Sequence, residues 1–315
     1  MSKKIIISLF CTAVVIVSAV YTIMDLYLYA YDPTWKGILN SKQPQKNPYV
    51  FIFGASYAYP INSTHVAEYL EKNNLNYDVY NLADMSDTPT HRIKNLEHII
   101  SLKPKVVLYC VSITDFAKSV HTELKDQKKD ELADTLSLKQ GITKIISSIT
   151  SSNTIGTWPT SPKERTILSL KYAIRGPEYP HNPFINFNTI PITDEKTFAS
   201  KYKVEFGGVD TSPQNKQRIA LEKIISELKK NNIKVILFTS PHHRVFIDGV
   251  GSSGIETFES LMRDISDEND VDVYFLHDKY KDMNIWRDPH HIAVNTKSII
   301  YSDDIGDILA KELKQ

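Results

Sequence analysis

Short apolar runs alternate with amphipathic helical patterns along most of the chain, and this alternation constrains the fold more than any other feature. The runs of strand length are residues 49–53, 78–82, 105–111, 234–239 and 271–276. Helical periodicity lies between and after them, over residues 63–73, 90–102, 213–231, 255–266 and 296–313. Strands that alternate with helices form parallel sheets, so the pattern predicts an α/β fold with a five-stranded, doubly wound parallel sheet.

Polar side chains follow four of the five predicted strands. They are Ser56 and the stretches 84–87, 112–115 and 240–243. Ligand sites in open parallel sheets lie at the carboxyl ends of the strands. The sequence therefore predicts that these residues converge on one functional site.

An apolar segment precedes the alternating pattern. Residues 5–24 carry no charge, and a membrane-spanning helix needs about 20 such residues. Lys3 and Lys4 precede the segment, and positive flanks stay on the cytoplasmic side, so the rest of the chain is expected to face outward. The alternative is a cleavable signal peptide with Val17-Ser18-Ala19 as its cleavage site, and either interpretation exports the remaining chain.

These features predict three parts of the chain. Residues 1–31 form a transmembrane anchor or signal, residues 32–48 a polar linker, and residues 49–315 one domain. The alternation is interrupted at about 117–212, which is interpreted as an insertion that caps the sheet. Helical stretches are expected there at 123–149 and 163–174.

Composition excludes several classes of function. Lys plus Arg and Asp plus Glu number 37 each, so no bulk charge favours binding to nucleic acid. Cys11 and Cys110 lie in the apolar segment and in a predicted core strand, so neither a disulfide nor a cysteine metal site is expected. No dinucleotide or phosphate-binding glycine motif is present, and no cofactor is predicted.

Ser56 lies between a predicted strand and a predicted helix. A serine hydroxyl attacks a carbonyl only when a base takes its proton. In such a turn its own N–H can help to hold a developing oxyanion. The competing interpretation is a helix N-cap, which is a frequent role for serine at this position.

Asp288 and His291 supply the base and its partner. A spacing of three residues lets the carboxylate reach the imidazole Nδ1 and fix its tautomer. His290 is a competing base. A zinc or copper site formed by His290 and His291 with His242 and His243 is a further alternative.

Three blocks together resemble the SGNH/GDSL hydrolase superfamily. They are Phe51–Ser56 (Phe-Ile-Phe-Gly-Ala-Ser), Asn81–Thr88 (Asn-Leu-Ala-Asp-Met-Ser-Asp-Thr) and Asp288–His291 (Asp-Pro-His-His). The resemblance covers about residues 49 to 315 apart from the insertion. It implies a flavodoxin-like three-layer α/β/α fold that cleaves or transfers acyl esters without a metal. It also implies that Ser56 is the nucleophile, Asp288 the orienting acid and His291 the base.

The oxyanion hole departs from the family pattern. The second block normally contributes a glycine N–H, and here Ser86 or a neighbour is expected to serve. The third block normally reads Gly-x-Asn-Asp, and here it reads Ser112-Ile113-Thr114-Asp115. Thr114 is therefore expected to line the oxyanion hole or the substrate-binding site. His242, which follows the fourth predicted strand, is expected there too. Asp115 is expected to hold loops by accepting hydrogen bonds from backbone N–H groups.

The resemblance implies a serine esterase or acyltransferase acting on acyl esters, with acetyl as the expected group, of a cell-surface glycan or lipid. The alternative is a catalytically inactive relative that binds glycans or helps to assemble an envelope complex. The departures at the oxyanion hole favour that alternative, because loss of one oxyanion donor typically costs about 100- to 1000-fold in rate.

Overall fold

A computed structural model describes residues 3–30, 47–83, 87–124, 192–194, 198 and 202–314. The chain divides into two compact units, one of residues 1–42 and 132–179 and the other of residues 43–131 and 180–315. In the first unit the described part is helix α1 (Lys3–Ala30). The predicted boundaries of the anchor, the linker and the domain, at residues 31, 48 and 315, stay predictions.

The second unit contains the predicted alternation of strands and helices. Its strands are β1 (Tyr49–Phe53), β2 (Asp78–Asn81), β3 (Val106–Val111), β4 (Val120–Leu124), β5 (Tyr202–Phe206), β6 (Lys234–Thr239), β7 (Asp272–Tyr274), β8 (Trp286–Asp288) and β9 (His291–Ile292). Its α-helices are α2 (Ser63–Lys72), α3 (Pro89–Arg92), α4 (Leu96–Ser101), α5 (Lys216–Lys230), α6 (Arg244–Asn269) and α7 (Ile299–Leu313).

Five strands form the parallel sheet that the sequence predicts, in the order β2-β1-β3-β6-β7. This is the flavodoxin-like order, in which the chain winds outward in both directions from the β1–β3 pair. The carboxyl ends of β1 and β3 therefore lie side by side where the winding direction reverses. Ser56 and Ser112 directly follow these two strands.

Burial explains why the apolar runs become central strands. Every residue of β1 and β3 is buried, as expected for parallel strands covered on both faces. On one face, Val66 and Leu70 of α2 pack with Tyr301 and Ile305 of α7 in the main apolar cluster. Helices α5 and α6 contact each other and the β6–β7 half of the sheet. Their buried stripes consist of Leu221, Ile224, Ile225 and Leu228 on α5, and Phe258, Leu261, Met262 and Ile265 on α6.

Several predicted helices have different bounds in the structure. The helix predicted at 90–102 is interrupted by a 3₁₀ turn between α3 and α4. Helix α6 begins at Arg244, eleven residues before the predicted start at 255, and is kinked at Gly251, whose backbone is not helical (φ +74°). The extra part contains Gly249, Gly251 and Gly254, which disfavour a helix by propensity. Gly249 and Gly254 have little space for a side chain, because Val204 and Phe206 of β5 approach them closely.

Two short antiparallel ribbons were not predicted. Strands β4 and β5 pair at the two ends of the predicted insertion, and β8 pairs with β9 around Asp288. Strands β8 and β9 have three and two residues, which is too short for a periodic pattern in the sequence. The helices predicted at 123–149 and 163–174 lie outside the described residues, apart from 123 and 124, which belong to β4.

The structure gives no support for the predicted membrane span. Within the described ranges, no helix combines the length and apolarity that crossing a bilayer requires. Helix α1 does expose large apolar side chains, which are Ile5, Phe10, Val14, Val15, Ile16, Val17 and Val20.

Gly54 allows the backbone at the end of β1 to lie close to β3. Its φ is +144°, and an added Cβ would lie 2.6 Å from the Cβ of Cys110. Gly54→Ala is therefore expected to lower the free energy of unfolding by about 3 kcal/mol, because backbone strain and a steric clash act together. Gly208→Ala is the matched control, since Gly208 also has a positive φ but a Cβ added there would meet no atom within 4 Å.

Chemical denaturation followed by near-ultraviolet circular dichroism would measure both variants in the full-length protein. The control is expected to lose about 1 kcal/mol from strain alone. Equal losses in the two variants would show that contact with Cys110 does not limit residue 54.

Candidate active site

Ser56 opens a 3₁₀ turn, Ser56–Ala58, directly beyond β1. The buried side chain of Asn81, at the end of β2, fixes this turn from the neighbouring strand. Its Nδ2 donates to the carbonyl oxygens of Ala58 and Ile61 at 2.8 and 3.0 Å. Its Oδ1 accepts from the N–H of Ala83 at 3.0 Å. Ser56 is thus presented on a turn whose position is fixed by two strands.

His291 reaches Ser56 from the other end of the domain. The His291 Nε2 atom lies 2.8 Å from Ser56 Oγ, although 235 residues separate the two in sequence. The imidazole comes from the short β8–β9 ribbon, which lies beside the turn that carries Ser56. The structure therefore brings together the serine and the histidine that the sequence predicts to react together.

Asp288 holds the opposite side of the same imidazole. Its Oδ1 and Oδ2 atoms lie 2.8 and 2.9 Å from His291 Nδ1. Oδ1 also accepts the backbone N–H groups of His290 and His291 at 2.9 and 3.0 Å. One carboxylate therefore orients the side chain and fixes the backbone turn that carries it.

Opposing effects set the pKa of Asp288. Burial acts to raise the pKa of this carboxyl, but the hydrogen bonds and charge of His291, together with the backbone N–H of His290, hold it below the ordinary value. Asp288 is consequently ionised at neutral pH. An ionised acceptor at Nδ1 favours the tautomer with a proton on Nδ1 and a lone pair on Nε2, facing Ser56.

His290, the competing base, has a different environment. Its ring packs against Phe246, with 4.7 Å between centroids, and burial with repulsion from His291 lowers its pKa to about 4. The ring nitrogen that lies within hydrogen-bond distance of Ser56 Oγ is His291 Nε2 instead. The geometry therefore assigns the serine contact to His291.

Tyr57 lies between His291 and a second polar group. Its ring stacks on the imidazole of His291, with 5.3 Å between centroids and 13° between planes. Its hydroxyl lies 3.0 Å from Thr114 Oγ1. Burial raises the pKa of the phenol to about 12, while the Thr114 hydrogen bond partly opposes that shift. The phenol therefore keeps its proton at neutral pH.

A chain of polar contacts continues from Thr114 into the protein. Ser112 Oγ lies 2.8 Å from Thr114 Oγ1 and 3.4 Å from His242 Nε2. The same Nε2 lies 3.0 Å from Ser240 Oγ. His242 is fully buried, and burial lowers its pKa well below the ordinary value, so it is neutral. The chain links the loops that follow β1, β3 and β6.

The predicted oxyanion residues have different outcomes. Ser86 lies outside the described residues. Thr114 is at the predicted edge of the sheet, but its hydroxyl contacts Tyr57 and Ser112. The His242 side chain is fully buried and contacts Ser112 and Ser240 rather than an open surface. The roles of these residues in the oxyanion hole stay predictions.

Asp115 supports the loop after β3, as expected from the sequence. Its Oδ2 accepts the N–H of Ser112 at 2.8 Å, while Ser112 Oγ accepts the N–H of Thr114 at 3.2 Å. Burial raises the pKa of Asp115 to about 7, with the Ser112 hydrogen bond opposing that shift. This carboxyl is therefore partly protonated near neutral pH.

Arg92 and Asp87 form a buried ion pair beside the second sequence block. Arg92 donates to Asp87 Oδ2 through Nε at 2.8 Å and through an Nη atom at 2.6 Å, and that Nη atom also donates to the carbonyl of Leu82 at 2.9 Å. Its guanidinium lies over the ring of Phe53 at 4.6 Å. The pair thus fixes the chain on both sides of residues 84–86.

The histidines do not converge as a metal site requires. His243 Nδ1 accepts the N–H of Val245 at 3.1 Å, and its ring stacks on Phe198. His242 contacts serine hydroxyls. Among the residues with described positions, no group of three or more His, Cys, Asp or Glu side chains is arranged to hold a metal ion.

Tyr57, Asn81 and Arg92 support the site but were not predicted as functional residues. Tyr57 gave one signal, because it directly follows the predicted nucleophile. Asn81 and Arg92 gave none, since most of their partners are backbone carbonyls, which residue type does not reveal.

No family model matches the chain, and no curated relative matches it. The chain is similar to several solved structures. An acetyl xylan esterase, AlAXEase, is 14% identical, with 83% of this chain and 99% of that chain covered and a TM-score of 0.43. A GDSL-like lipase from Bacteroides thetaiotaomicron is 10% identical, with 92% and 99% covered and a TM-score of 0.40.

The periplasmic domain of a lipopolysaccharide acetyltransferase from Salmonella ser. Paratyphi A is 12% identical, with 89% of this chain and 88% of that chain covered and a TM-score of 0.38. All three TM-scores are below 0.5. The functional proposal therefore rests on the geometry of the site.

The raised pKa of Asp115 predicts a pH-dependent stability. Between pH 3.8 and about 7 the folded protein keeps a proton on this carboxyl that the unfolded chain releases. The stabilisation from this group therefore falls as the pH rises through that window. Asp115→Asn keeps an oxygen acceptor for the Ser112 N–H but does not titrate, so its stability relative to wild type is expected to increase from pH 4 to pH 7.

Denaturant midpoints of the two proteins across this range would measure the difference. Asp248→Asn is the control, since Asp248 is exposed, and it is expected to follow wild type throughout. A constant difference between Asp115→Asn and wild type would contradict the prediction.

Proposed function

We propose that the protein is a serine esterase or acyltransferase that acts on acyl esters, with acetyl as the expected group, of a cell-surface glycan or lipid. The proposal rests on one observation, the unbroken contact from Ser56 Oγ to His291 Nε2 and from His291 Nδ1 to Asp288, with distances of 2.8 and 2.8 Å. This is the arrangement of nucleophile, base and orienting acid that acyl transfer requires.

In the acylation step Ser56 Oγ attacks the carbonyl carbon of the ester. His291 Nε2 takes the hydroxyl proton, and Asp288 stabilises the imidazolium through Nδ1. When the tetrahedral intermediate collapses, the ester C–O bond breaks and the leaving alcohol takes the proton from His291. The products of this half-reaction are the alcohol and an acyl ester on Ser56.

The second half-reaction reverses the proton path. A water molecule or a sugar hydroxyl gives its proton to His291 and attacks the acyl carbon. The bond to Ser56 Oγ then breaks, and the proton returns to the serine. Water yields a free acid and a hydroxyl acceptor yields a new ester, so one site supports both hydrolysis and transfer.

The Thr114 hydroxyl favours a second candidate function. This hydroxyl already contacts Tyr57 and Ser112, so it is not reserved for a substrate oxygen. A protein with a weak oxyanion hole would bind acylated glycans without turning them over. Glycan binding that survives Ser56→Ala, in a protein that Ser56-directed reagents do not label, would support this alternative.

A fluorophosphonate probe tests the proposed nucleophile directly. Because such probes react with serines whose proton a neighbouring base removes, we expect mass spectrometry of the full-length protein to find the label on Ser56. Ser56→Ala is expected to abolish labelling, and His291→Ala to slow it at least about 1000-fold, since loss of a triad member removes most of the rate enhancement.

His65→Ala is the matched control for His291→Ala. His65 forms a comparable histidine–carboxylate pair with Asp303 at 2.6 Å, but in α2 and α7, away from Ser56. This control is expected to label at the wild-type rate. A folded wild-type protein that takes up no label would overturn the esterase proposal.

The proposed surface substrate requires an exported domain. We propose that the N-terminal segment attaches the protein to a membrane, with the N-terminus in the cytoplasm and the Ser56 domain on the extracytoplasmic side. The apolar side chains exposed on α1 and the preceding Lys3 and Lys4 support this proposal.

Cell fractionation tests the location. Full-length protein is expected to stay with membranes through an alkaline carbonate wash, and protease added outside the cytoplasmic membrane is expected to digest the domain of residues 49–315. Release of the protein by the wash would contradict the proposed topology. So would protection of the domain from the protease while the cytoplasmic membrane is intact.

A further inference from the structure

We propose that Tyr57 is the positioning residue for the base, and that Thr114 acts through Tyr57 rather than as a direct oxyanion donor. This inference rests on the proposed function of Ser56 and His291. It follows from three contacts of Tyr57, which are the stack on His291, the hydrogen bond to Thr114 and an edge contact with His242.

The stack restricts a motion that Asp288 leaves open. The carboxylate holds the imidazole at Nδ1, which fixes one corner of the ring. Tilting of the ring about that corner would move Nε2 away from Ser56 Oγ. The Tyr57 ring lies nearly parallel to the imidazole at 5.3 Å and covers one face, so it opposes this tilt. Small displacements of this kind are costly, since misplacement by about 1 Å lowers a rate by about 100-fold.

The Tyr57 ring is itself held at its far end. Its hydroxyl contacts Thr114 Oγ1 at 3.0 Å, and Ser112 Oγ contacts the same atom at 2.8 Å. Ser112 continues the chain to His242, whose ring meets the edge of the Tyr57 ring at 5.3 Å. These residues follow β1, β3 and β6, so three strands fix the orientation of one phenol ring.

The buried end of this chain makes the support rigid. His242 has no solvent-exposed surface, and its Nε2 atom also contacts Ser240 Oγ at 3.0 Å. A neutral, buried imidazole of this kind does not exchange its partners with water. Thr114 is therefore an anchor for the phenol, and its effect on the reaction should require the Tyr57 hydroxyl.

Four variants of the full-length protein separate these roles: Tyr57→Leu, Tyr57→Phe, Thr114→Val and the double variant Tyr57→Phe/Thr114→Val. The readouts are kcat and KM for p-nitrophenyl acetate and the second-order rate of fluorophosphonate labelling at Ser56. Tyr57→Leu removes the stack, and we expect kcat and the labelling rate to fall about 10- to 100-fold while KM changes less than about twofold.

Tyr57→Phe keeps the stack and is expected to react faster than Tyr57→Leu. Tyr57→Phe and Thr114→Val each remove one side of the same hydrogen bond, so each is expected to slow the reaction by about three- to tenfold. The double variant is expected to match Thr114→Val, because the Ser112 contact that Thr114→Val also removes acts on the reaction only through the Tyr57 hydroxyl.

Distinct results overturn this inference. A Tyr57→Leu protein with wild-type kcat and labelling rate would remove the positioning role. A Thr114→Val effect that is equally large in the Tyr57→Phe background would show that Thr114 acts directly on the substrate. Circular dichroism reports whether Tyr57→Leu folds, and if it does not, the Tyr57–Thr114 double-mutant cycle still decides the proposal.

The same experiment distinguishes failure of the proposed function. If wild-type protein is neither labelled nor active, and is thus indistinguishable from Ser56→Ala, both the esterase proposal and the role of Tyr57 fail. If wild-type protein is labelled at Ser56 and the Tyr57 variants behave as wild type, only the inference about Tyr57 fails.

Discussion

The parallel pairing of β1 with β3 is the constraint on which the rest of the site depends. Because β1 and β3 are parallel, the loops after both strands lie at the same edge of the sheet, at the point where the winding reverses. Gly54 lets β1 finish against Cys110, and the chain then turns to present Ser56. The third loop, after β6, adds His242 and Ser240 to the same region. Three separate parts of the sequence thus become one polar cluster.

Much of this arrangement could be predicted from the sequence, because apolar runs report burial directly. The five strands and their parallel arrangement follow from that signal, as does the place of Ser56 after β1, whereas Asp288 and His291 were predicted from their spacing and from the family resemblance. The part of α6 before the kink at Gly251 could not be predicted, since its glycines disfavour a helix by propensity. The β8–β9 ribbon is too short to show a period, although it carries the base.

The supporting residues illustrate a more general limit. Tyr57 contacts Thr114, and Arg92 holds both Asp87 and the carbonyl of Leu82, but none of these partnerships follows from residue type or spacing. Buried polar groups are satisfied by whichever partners the fold brings near, so their networks become visible only in three dimensions. The candidate nucleophile, base and acid were therefore easier to predict than the residues that orient them.

The 235 residues between Ser56 and His291 have a consequence for partly folded chains. Ser56 and its turn are fixed by β1 and β2, whereas the imidazole reaches it only when residues 286–292 have docked. Any intermediate that has formed the first half of the sheet carries an inert hydroxyl. Under the proposed esterase function, reactivity of Ser56 would therefore mark completion of the domain.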